Sequence, residues 1–229
     1  MLIVTWNLFH GRSLPPSRGA LYDEYAAKLA GWSWDVALLQ EVPPWWPALL
    51  ARTAGAEHRA ALTSRNSLLA LRRAIATRRP ELAKSNGGGA NAVLARVPII
   101  EHRALRLRAW PERRVAQLVR TRDGACFANY HGSVRVALAE DELERLSERA
   151  LAWAGAAPLV LGGDLNLRAP LPASGGLALL ASRDVDHLLA RGLVLDGEPE
   201  LLDRTARLDS GGAVLSDHPP LRVRLRPPR

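Results

Sequence analysis

Residues 158–167 read Pro-Leu-Val-Leu-Gly-Gly-Asp-Leu-Asn-Leu, an apolar run of strand length followed by two glycines and two polar residues. Successive residues of a strand point to opposite faces, so Asp164 and Asn166 are predicted to share one side of the chain. A carboxylate acceptor beside a neutral amide would suit chemistry on a water or phosphate oxygen. The alternative is an Asx-type turn, in which both side chains bind nearby backbone groups.

Size and composition around this stretch indicate an ordinary globular protein. The 229 residues are 48% hydrophobic and 24% charged, which suffices for a single domain with a buried core over residues 1–229. Cys126 is the one cysteine, so neither an intrachain disulfide nor a cysteine-based zinc site can form. Residues 1–6 lead straight into an apolar strand without the features of a secretion signal, and no apolar run is long enough to span a membrane. We therefore expect a cytoplasmic monomer without a membrane span.

The net charge of +8 has two explanations that the sequence leaves open. A basic balance attracts nucleic acid and other polyanions through phosphate contacts. However, Lys28 and Lys84 are the two lysines, and the abundant arginine, alanine and leucine are also typical of a GC-rich genome. The arginines are scattered, with denser runs at 72–73, 78–79 and 103–114. Solvated surface and polyanion binding remain equal alternatives.

Along the chain, strand-like runs alternate with helix-like ones. Helical spacing predicts helices at 22–32, 45–54 and 137–154, and the tryptophan pair Trp45-Trp46 is expected to pack on a sheet. Strands are predicted at 2–6, 36–39, 92–95, 114–120, 125–130 and 221–225, with a hairpin across Asp123-Gly124. Residues 68–75 fit a strand or a helix, and residues 85–91 and 168–182 are predicted to be loops.

Polar side chains recur where the apolar strands stop. They are Asn7, Glu41, Asn91, His131, Asp164, Asn166, Asp217 and His218. Each alone has a structural explanation as a turn former, a helix-entry carboxylate or a satisfied histidine. If the strands form packed sheets, however, their polar ends can converge on one rim. Several carboxylates there would repel one another without a cation, and oxygen ligands of this kind suit Mg²⁺ or Mn²⁺.

Seven ordered motifs resemble those of the endonuclease/exonuclease/phosphatase superfamily, the DNase I-like metal-dependent phosphoesterases. They are Thr5-Trp6-Asn7, Leu39-Gln40-Glu41, Gly89-Ala90-Asn91-Ala92-Val93-Leu94, Asn129-Tyr130-His131, Gly163-Asp164-Leu165-Asn166, Asp186-His187 and Ser216-Asp217-His218-Pro219. The resemblance runs from residue 3 to residue 225. It implies an α/β fold, a four-layer α/β sandwich of two packed mixed sheets flanked by helices, with the site where the loops of the sheets meet.

The resemblance also implies roles for individual residues. Glu41 would bind Mg²⁺ or Mn²⁺, with Asn7 and Asp217 in or near its coordination. Asn91 would support the site, and Arg114 would face the phosphate of the substrate.

The remaining motif residues would carry the reaction. Asp164 would orient or deprotonate the attacking water, while Asn166 and His131 would donate to phosphate oxygens. Asp186 would hold His218 in the tautomer and orientation that contact the scissile phosphate.

Two departures from the family pattern bear on the substrate. Val42-Pro43 follows Glu41, and Gly132 follows His131, which argues against the branch that repairs abasic sites. We predict a phosphodiesterase acting on nucleic acid. The alternatives are a hydrolase of small phosphoesters or phospholipid headgroups and a binding module without activity, since a fold does not settle a function.

Overall fold

The computed structural model describes residues 1–17, 19–63, 66–78, 89–170 and 175–228. Residues 85–88 and 171–174, which belong to the two predicted loops, lie outside these ranges. The described residues contain four α-helices: α1 (Tyr22–Gly31), α2 (Pro47–Ala54), α3 (Leu69–Arg78) and α4 (Val136–Ala154). Short 3₁₀ turns occupy Phe9–Gly11 and Thr205–Arg207.

Fifteen strands lie in the same part of the chain. They are β1 (Leu2–Asn7), β2 (Ser13–Leu14), β3 (Val36–Val42), β4 (Glu57–Leu62), β5 (Ala90–Ala95), β6 (Ile99–Arg108), β7 (Arg114–Thr121), β8 (Cys126–His131), β9 (Leu159–Asp164), β10 (Ala178–Arg183), β11 (Asp186–Arg191), β12 (Val194–Leu195), β13 (Glu200–Leu201), β14 (Val214–Leu215) and β15 (Leu221–Arg226).

The strands form two large mixed sheets and a small β14-β2 ribbon. The first sheet has the order β12-β15-β1-β3-β5-β4, with β13 also paired to β15, and β1 and β3 are parallel. The second has the order β10-β11-β9-β8-β7-β6, and β8 and β9 are parallel. In each sheet the remaining pairings between described strands are antiparallel.

Three apolar clusters fill the spaces between four layers, which are the two sheets and the helices on their outer faces. The cluster between the sheets includes Leu38 and Val93 from the first sheet and Phe127 and Val160 from the second. A second cluster packs α1 and α2 on the outer face of the first sheet. A third packs α4 on the outer face of the second sheet. The four-layer α/β sandwich predicted from the sequence is therefore confirmed. Among the described residues, no helix has both the length and the apolar character needed to cross a membrane.

The strongest sequence patterns gave the correct elements, and the errors lie at the sheet edges. The helices predicted at 22–32, 45–54 and 137–154 are present, and Trp46 is buried against the first sheet with Trp45 packed beside it. The ambiguous residues 68–75 form most of α3. The loop prediction for 168–182 is wrong at its end, where β10 begins, and β4 was not predicted. Both are edge strands that bury few side chains, so they lack the apolar alternation of a half-buried strand.

Gly163 in β9 lies too close to β8 to carry a side chain. Its φ is 141°, and an added Cβ would lie 1.9 Å from the carbonyl oxygen of Tyr130. We expect Gly163→Ala to lower the free energy of unfolding by about 3 kcal/mol or more, because either the two strands separate or the backbone is strained. Urea denaturation measures the loss.

The matched control for this variant is Gly197→Ala. Gly197 also has a positive φ, of 100°, but nothing lies within 4 Å of an added Cβ. Its alanine variant should lose only about 1 kcal/mol from backbone strain. Equal losses for the two variants would contradict the proposed clash in the sheet.

Candidate active site

The ends of four strands meet at one rim of the sandwich. His131 and Asp164 are register partners at the ends of β8 and β9, and Asp186 pairs with Asp164 at the start of β11. Asn7 ends β1, and its side chain crosses to the second sheet to contact Asp164. The two sheets thus bring together polar residues that are up to 179 positions apart in the chain, from Asn7 to Asp186.

Asp164 lies at the centre of this group and is buried. Its Oδ2 accepts a hydrogen bond from Asn7 Nδ2 at 2.9 Å. The same oxygen lies 3.5 Å from His131 Nε2 and 3.9 Å from His218 Nε2. One carboxylate oxygen of Asp164 therefore faces three nitrogen-bearing side chains, and the hydrogen bond from Asn7 fixes its position.

The buried Asp186 and the half-buried His218 form a pair next to Asp164. His218 Nδ1 lies 2.7 Å from Asp186 Oδ2. Burial alone would lower the pKa of His218, but the hydrogen bond to Asp186 and the charges of Asp186, Asp164 and Asp217 raise it to about 9. Burial raises the pKa of Asp186, against the opposing effect of His218. The geometry is that of a histidine oriented by a carboxylate, with Nε2 directed toward Asp164.

Glu41 follows the buried part of β3 in a left-handed conformation, with φ of 50°. Its Oε2 lies 3.2 Å from His10 Nε2, and its Oε1 lies 4.0 Å from His131 Nε2. Burial raises the pKa of the Glu41 carboxyl, and the negative charges of Asp164 and Asp217 raise it further. A cation beside these carboxylates would remove this repulsion.

The position of Asn166 differs from the strand geometry predicted for it. The strand β9 ends at Asp164, and Asn166 has φ of 54° in the following turn. Its backbone N–H donates to Asp164 Oδ1 at 3.1 Å, so the alternative Asx-type turn is the correct local structure. The Asn166 side chain donates from Nδ2 to the carbonyl of Gly132 at 3.0 Å, which still places it beside His131.

Two further predicted residues, Asp217 and Arg114, lie at different distances from Asp164, the centre of the group. Asp217 is 40% exposed, with Oδ1 3.9 Å from His218 Nε2. Arg114 is buried, bonds Glu112 at 2.6 Å and reaches the carbonyl of His131 at 3.5 Å. Its guanidinium is thus already paired with a carboxylate.

Asn91 is buried between the sheets rather than placed among the carboxylates. Its Nδ2 donates to the carbonyl of Val115 in the second sheet at 2.9 Å. The contact supports the site by joining the sheets, and a direct role of Asn91 toward substrate stays a prediction.

His10 belongs to the site but was absent from the sequence prediction. Phe9 and His10 both have positive φ, of 50° and 54°, an unfavourable conformation for residues other than glycine. This turn brings His10 to Glu41. The sequence could have indicated His10, because it also follows the end of an apolar strand.

Arg207 and Trp6 hold the segment that carries His218. The buried Arg207 donates from Nη1 to the carbonyls of Leu215, Ser216 and His218 at 3.2, 2.9 and 3.4 Å. Trp6 Nε1 donates to the His218 carbonyl at 3.0 Å. No sequence signal marks Arg207, because its partners are backbone groups brought near only by folding.

Glu142 of α4 holds the segment that carries His131. It is fully buried, and its oxygens accept from the Ser133 backbone at 3.0 Å, the Ser133 hydroxyl at 2.8 Å, the Tyr130 hydroxyl and the Arg108 guanidinium. Burial raises the pKa of Glu142, but these hydrogen bonds together lower it below the ordinary value of 4.5.

We expect Glu142→Gln to lower the free energy of unfolding at pH 7 by about 3 kcal/mol, because Arg108 loses its buried partner. The carboxylate stabilises the fold above pH 4.5 and loses this effect as pH falls through its lowered pKa. The difference between wild type and variant, measured by denaturation, should therefore shrink below pH 4.5. The exposed Glu140→Gln is the control on the same helix. A constant difference from pH 7 to pH 3 would contradict this role.

The donor set suits a divalent cation. In the part of the chain that the structure describes, Asp164, Asp186 and His218 each offer a ligand atom, and these atoms lie within 4.8 Å of one another. Asp186 Oδ1 is buried without a hydrogen-bond partner among the described residues. An orphaned carboxylate oxygen beside a second carboxylate, that of Asp164, fits a metal with oxygen ligands.

Comparisons with known proteins agree with this architecture. The sequence profile of the Endonuclease/Exonuclease/phosphatase family matches residues 4–218. Among curated proteins, no sequence match was found. Solved structures include an endonuclease/exonuclease/phosphatase from Beutenbergia cavernae, with a TM-score of 0.71 and 20% identity over 99% of this chain and 71% of that one.

Two further structures come from different enzymes. A humanized D. rerio TDP2 has a TM-score of 0.68 and 15% identity over 99% of this chain and 98% of that one. A mannosyl-6-phosphatase from Bacteroides thetaiotaomicron has a TM-score of 0.65 and 14% identity, with 99% of each chain covered. At such identities the likeness shows a shared fold.

The family match defines the class of this protein, because members of that family are phosphoric ester hydrolases. The protein belongs to the Endonuclease/Exonuclease/phosphatase family, whose profile spans nearly the whole chain.

Proposed function

We propose that this protein is a metal-dependent phosphodiesterase that hydrolyses nucleic acid. The observation that carries the proposal is the Asp164 oxygen that faces Asn7, His131 and the His218–Asp186 pair. Phosphodiester hydrolysis needs an aligned water, a neutralised phosphate and a stabilised leaving oxygen. The rim offers a group for each requirement.

Asp164 aligns the attacking water and accepts its proton, because its oxygen is fixed by the Asn7 amide. His218, kept protonated at neutral pH by Asp186, stabilises charge on the phosphate and on the leaving oxygen. His131 and Asn166 donate to phosphate oxygens. Asn166 has a second amide N–H for this purpose beyond the one bonded to Gly132.

Glu41 would hold Mg²⁺ or Mn²⁺, with Asn7 and Asp217 in or near its coordination. The bound ion would supply electrostatic stabilisation of the charge that develops on the phosphate. Carboxylate and amide oxygens are the ligands that these hard cations prefer. The apolar core shared by both sheets supports treating residues 1–229 as one catalytic domain.

A polyanionic substrate fits the charge of the chain. The net charge is +8, and exposed arginines include Arg73, Arg78, Arg103, Arg106 and Arg113. A second candidate is a phospholipid headgroup, favoured by exposed apolar side chains at Leu68, Leu71 and Ile75 in and beside α3.

A substrate panel with varied salt tests the proposal. Plasmid DNA, single-stranded DNA, RNA, phospholipid vesicles, sugar phosphates and bis-p-nitrophenyl phosphate are each offered with Mg²⁺, Mn²⁺ or EDTA. We expect metal-dependent cleavage of nucleic acid that falls steeply between 50 and 200 mM salt, because phosphate contacts release counterions. Hydrolysis of phospholipid or sugar phosphate alone, with no salt-sensitive nuclease activity, would contradict nucleic acid as the substrate.

A further inference from the structure

A cleft of about 730 Å³ opens beside the candidate active site. One wall contains Thr63, which follows β4, and Asn66 and Ser67 before α3. The other wall is the loop between β6 and β7, with Glu112 and Arg113. The volume falls within the usual range of ligand-binding clefts.

Both walls connect to the rim that carries the site. The Thr63 hydroxyl donates to the carbonyl of Gly89 at 2.8 Å, and a Cβ at Gly89 would lie 3.5 Å from His10 Cε1. On the other wall, Glu112 bonds Arg114, which reaches the carbonyl of His131. A group bound in the cleft would therefore neighbour a phosphate bound between Glu41 and His131.

An exposed aromatic side chain stands beside the polar lining of the cleft. Trp110 stands between two lining residues, Ala109 and Pro111, and is 81% exposed. Such exposure is unusual for tryptophan, whose large apolar surface favours burial or a partner. Asn66 Nδ2 donates to the carbonyls of Thr63 and Gly89 at 2.7 and 3.0 Å. Glu112 accepts from Arg114, so these polar groups hold the two walls in place.

Arginines stand at both walls of the cleft. Arg72 of α3 donates from Nε to the carbonyl of Ser67 at 2.6 Å, and the exposed Arg113 lines the loop wall. Positive charge beside an aromatic face is the combination by which proteins bind single-stranded nucleic acid, with bases stacked and phosphates contacted.

We propose that this cleft binds an unstacked nucleobase next to the scissile phosphate, with Trp110 as its stacking surface and Arg72 and Arg113 on flanking phosphates. The inference rests on the proposed function and names single-stranded nucleic acid as the substrate class. Bases inside a duplex are stacked on one another, so a duplex cannot use this subsite without unpairing.

The chemistry of the cleft argues against a lipid surface as its occupant. Leu68, Leu71 and Ile75 are exposed nearby and would suit an interface with acyl chains. The cleft itself, however, is lined mainly by polar side chains, which do not suit acyl chains.

Binding in EDTA tests the subsite separately from hydrolysis. Fluorescence anisotropy compares a labelled single-stranded oligonucleotide, its duplex and an anionic phosphatidylserine vesicle on wild type, Trp110→Ala and Ile100→Ala. Ile100 is also exposed but lies at the opposite end of β6, so it serves as the control. We expect Trp110→Ala to weaken single-strand binding about tenfold, Ile100→Ala to leave it unchanged, and the duplex to bind less tightly than the single strand.

A kinetic comparison completes the test. For Trp110→Ala, kcat/KM should fall about tenfold with the single-stranded oligonucleotide through KM, whereas Ile100→Ala should leave kcat/KM unchanged. Unchanged single-strand binding by Trp110→Ala, or binding to vesicles but not to oligonucleotides, would overturn the subsite. If wild type hydrolyses no diester, the proposed function fails, while the binding comparison still decides the subsite.

Discussion

Asp164→Asn is expected to lower kcat for bis-p-nitrophenyl phosphate by about 1,000-fold or more. Asparagine keeps the shape of the side chain and can still accept the hydrogen bond from Asn7. It cannot accept a proton from water, and general-base catalysis contributes on the order of 100- to 10,000-fold. The loss should appear in kcat rather than in KM, because the missing interaction acts on the reacting water.

The fold of this variant should be intact. Removing one of several clustered carboxylates relieves repulsion, so we expect unchanged circular dichroism and a melting temperature at least as high as that of wild type. Asp196→Asn is the matched control and should retain full activity, because this half-exposed aspartate lies near Leu2, at the end of β1 away from Asn7. Wild-type turnover by pure Asp164→Asn would refute the role of Asp164.

His218→Ala is expected to reduce kcat by about 100- to 10,000-fold, because the proton donor and the charge that faces the phosphate are both lost. Metal binding, measured by isothermal titration with Mn²⁺, should be retained, since the proposed metal ligand is Glu41 and a protonated His218 has no ring nitrogen free to bind a metal. His58→Ala removes a half-buried histidine from the edge strand β4 and should leave kcat unchanged.

The double variant Asp186→Asn/His218→Ala tests whether Asp186 and His218 act together. If Asp186 acts by orienting His218, the double variant should be no slower than His218→Ala, because the two residues form one unit. Losses that multiply would show that Asp186 has a separate role, and an unchanged kcat for His218→Ala would contradict the assignment.

The sequence allowed the rim of the site to be predicted because its residues obey one simple rule. Asn7, Glu41, His131 and Asp164 all stand at the ends of apolar strands, and packed sheets bring such ends together. The prediction for Asn166 erred because a strand was extended two residues too far. The end of a strand depends on pairing with neighbours, which the local pattern does not contain.

The groups that support the rim could not be predicted in the same way. Glu142 lies in a helix rich in charged residues, and nothing in the helix distinguishes it from its exposed neighbours Glu140 and Glu148. Arg207 binds carbonyls of residues 215–218 that only the folded chain presents. Their importance comes from burial and long-range contacts. The edge strands β4 and β10 were missed or misplaced because they bury few side chains and therefore lack the apolar alternation of a half-buried strand.

Metal dependence of the site is tested by hydrolysis of bis-p-nitrophenyl phosphate by wild type after EDTA treatment and readdition of Mg²⁺ or Mn²⁺. We expect turnover with either metal, none in EDTA, and full recovery on readdition. Turnover that persists in EDTA would contradict a metal-dependent site at Glu41. The absence of turnover with every metal, by protein shown to be folded, would contradict the assignment of the rim as a phosphodiesterase site.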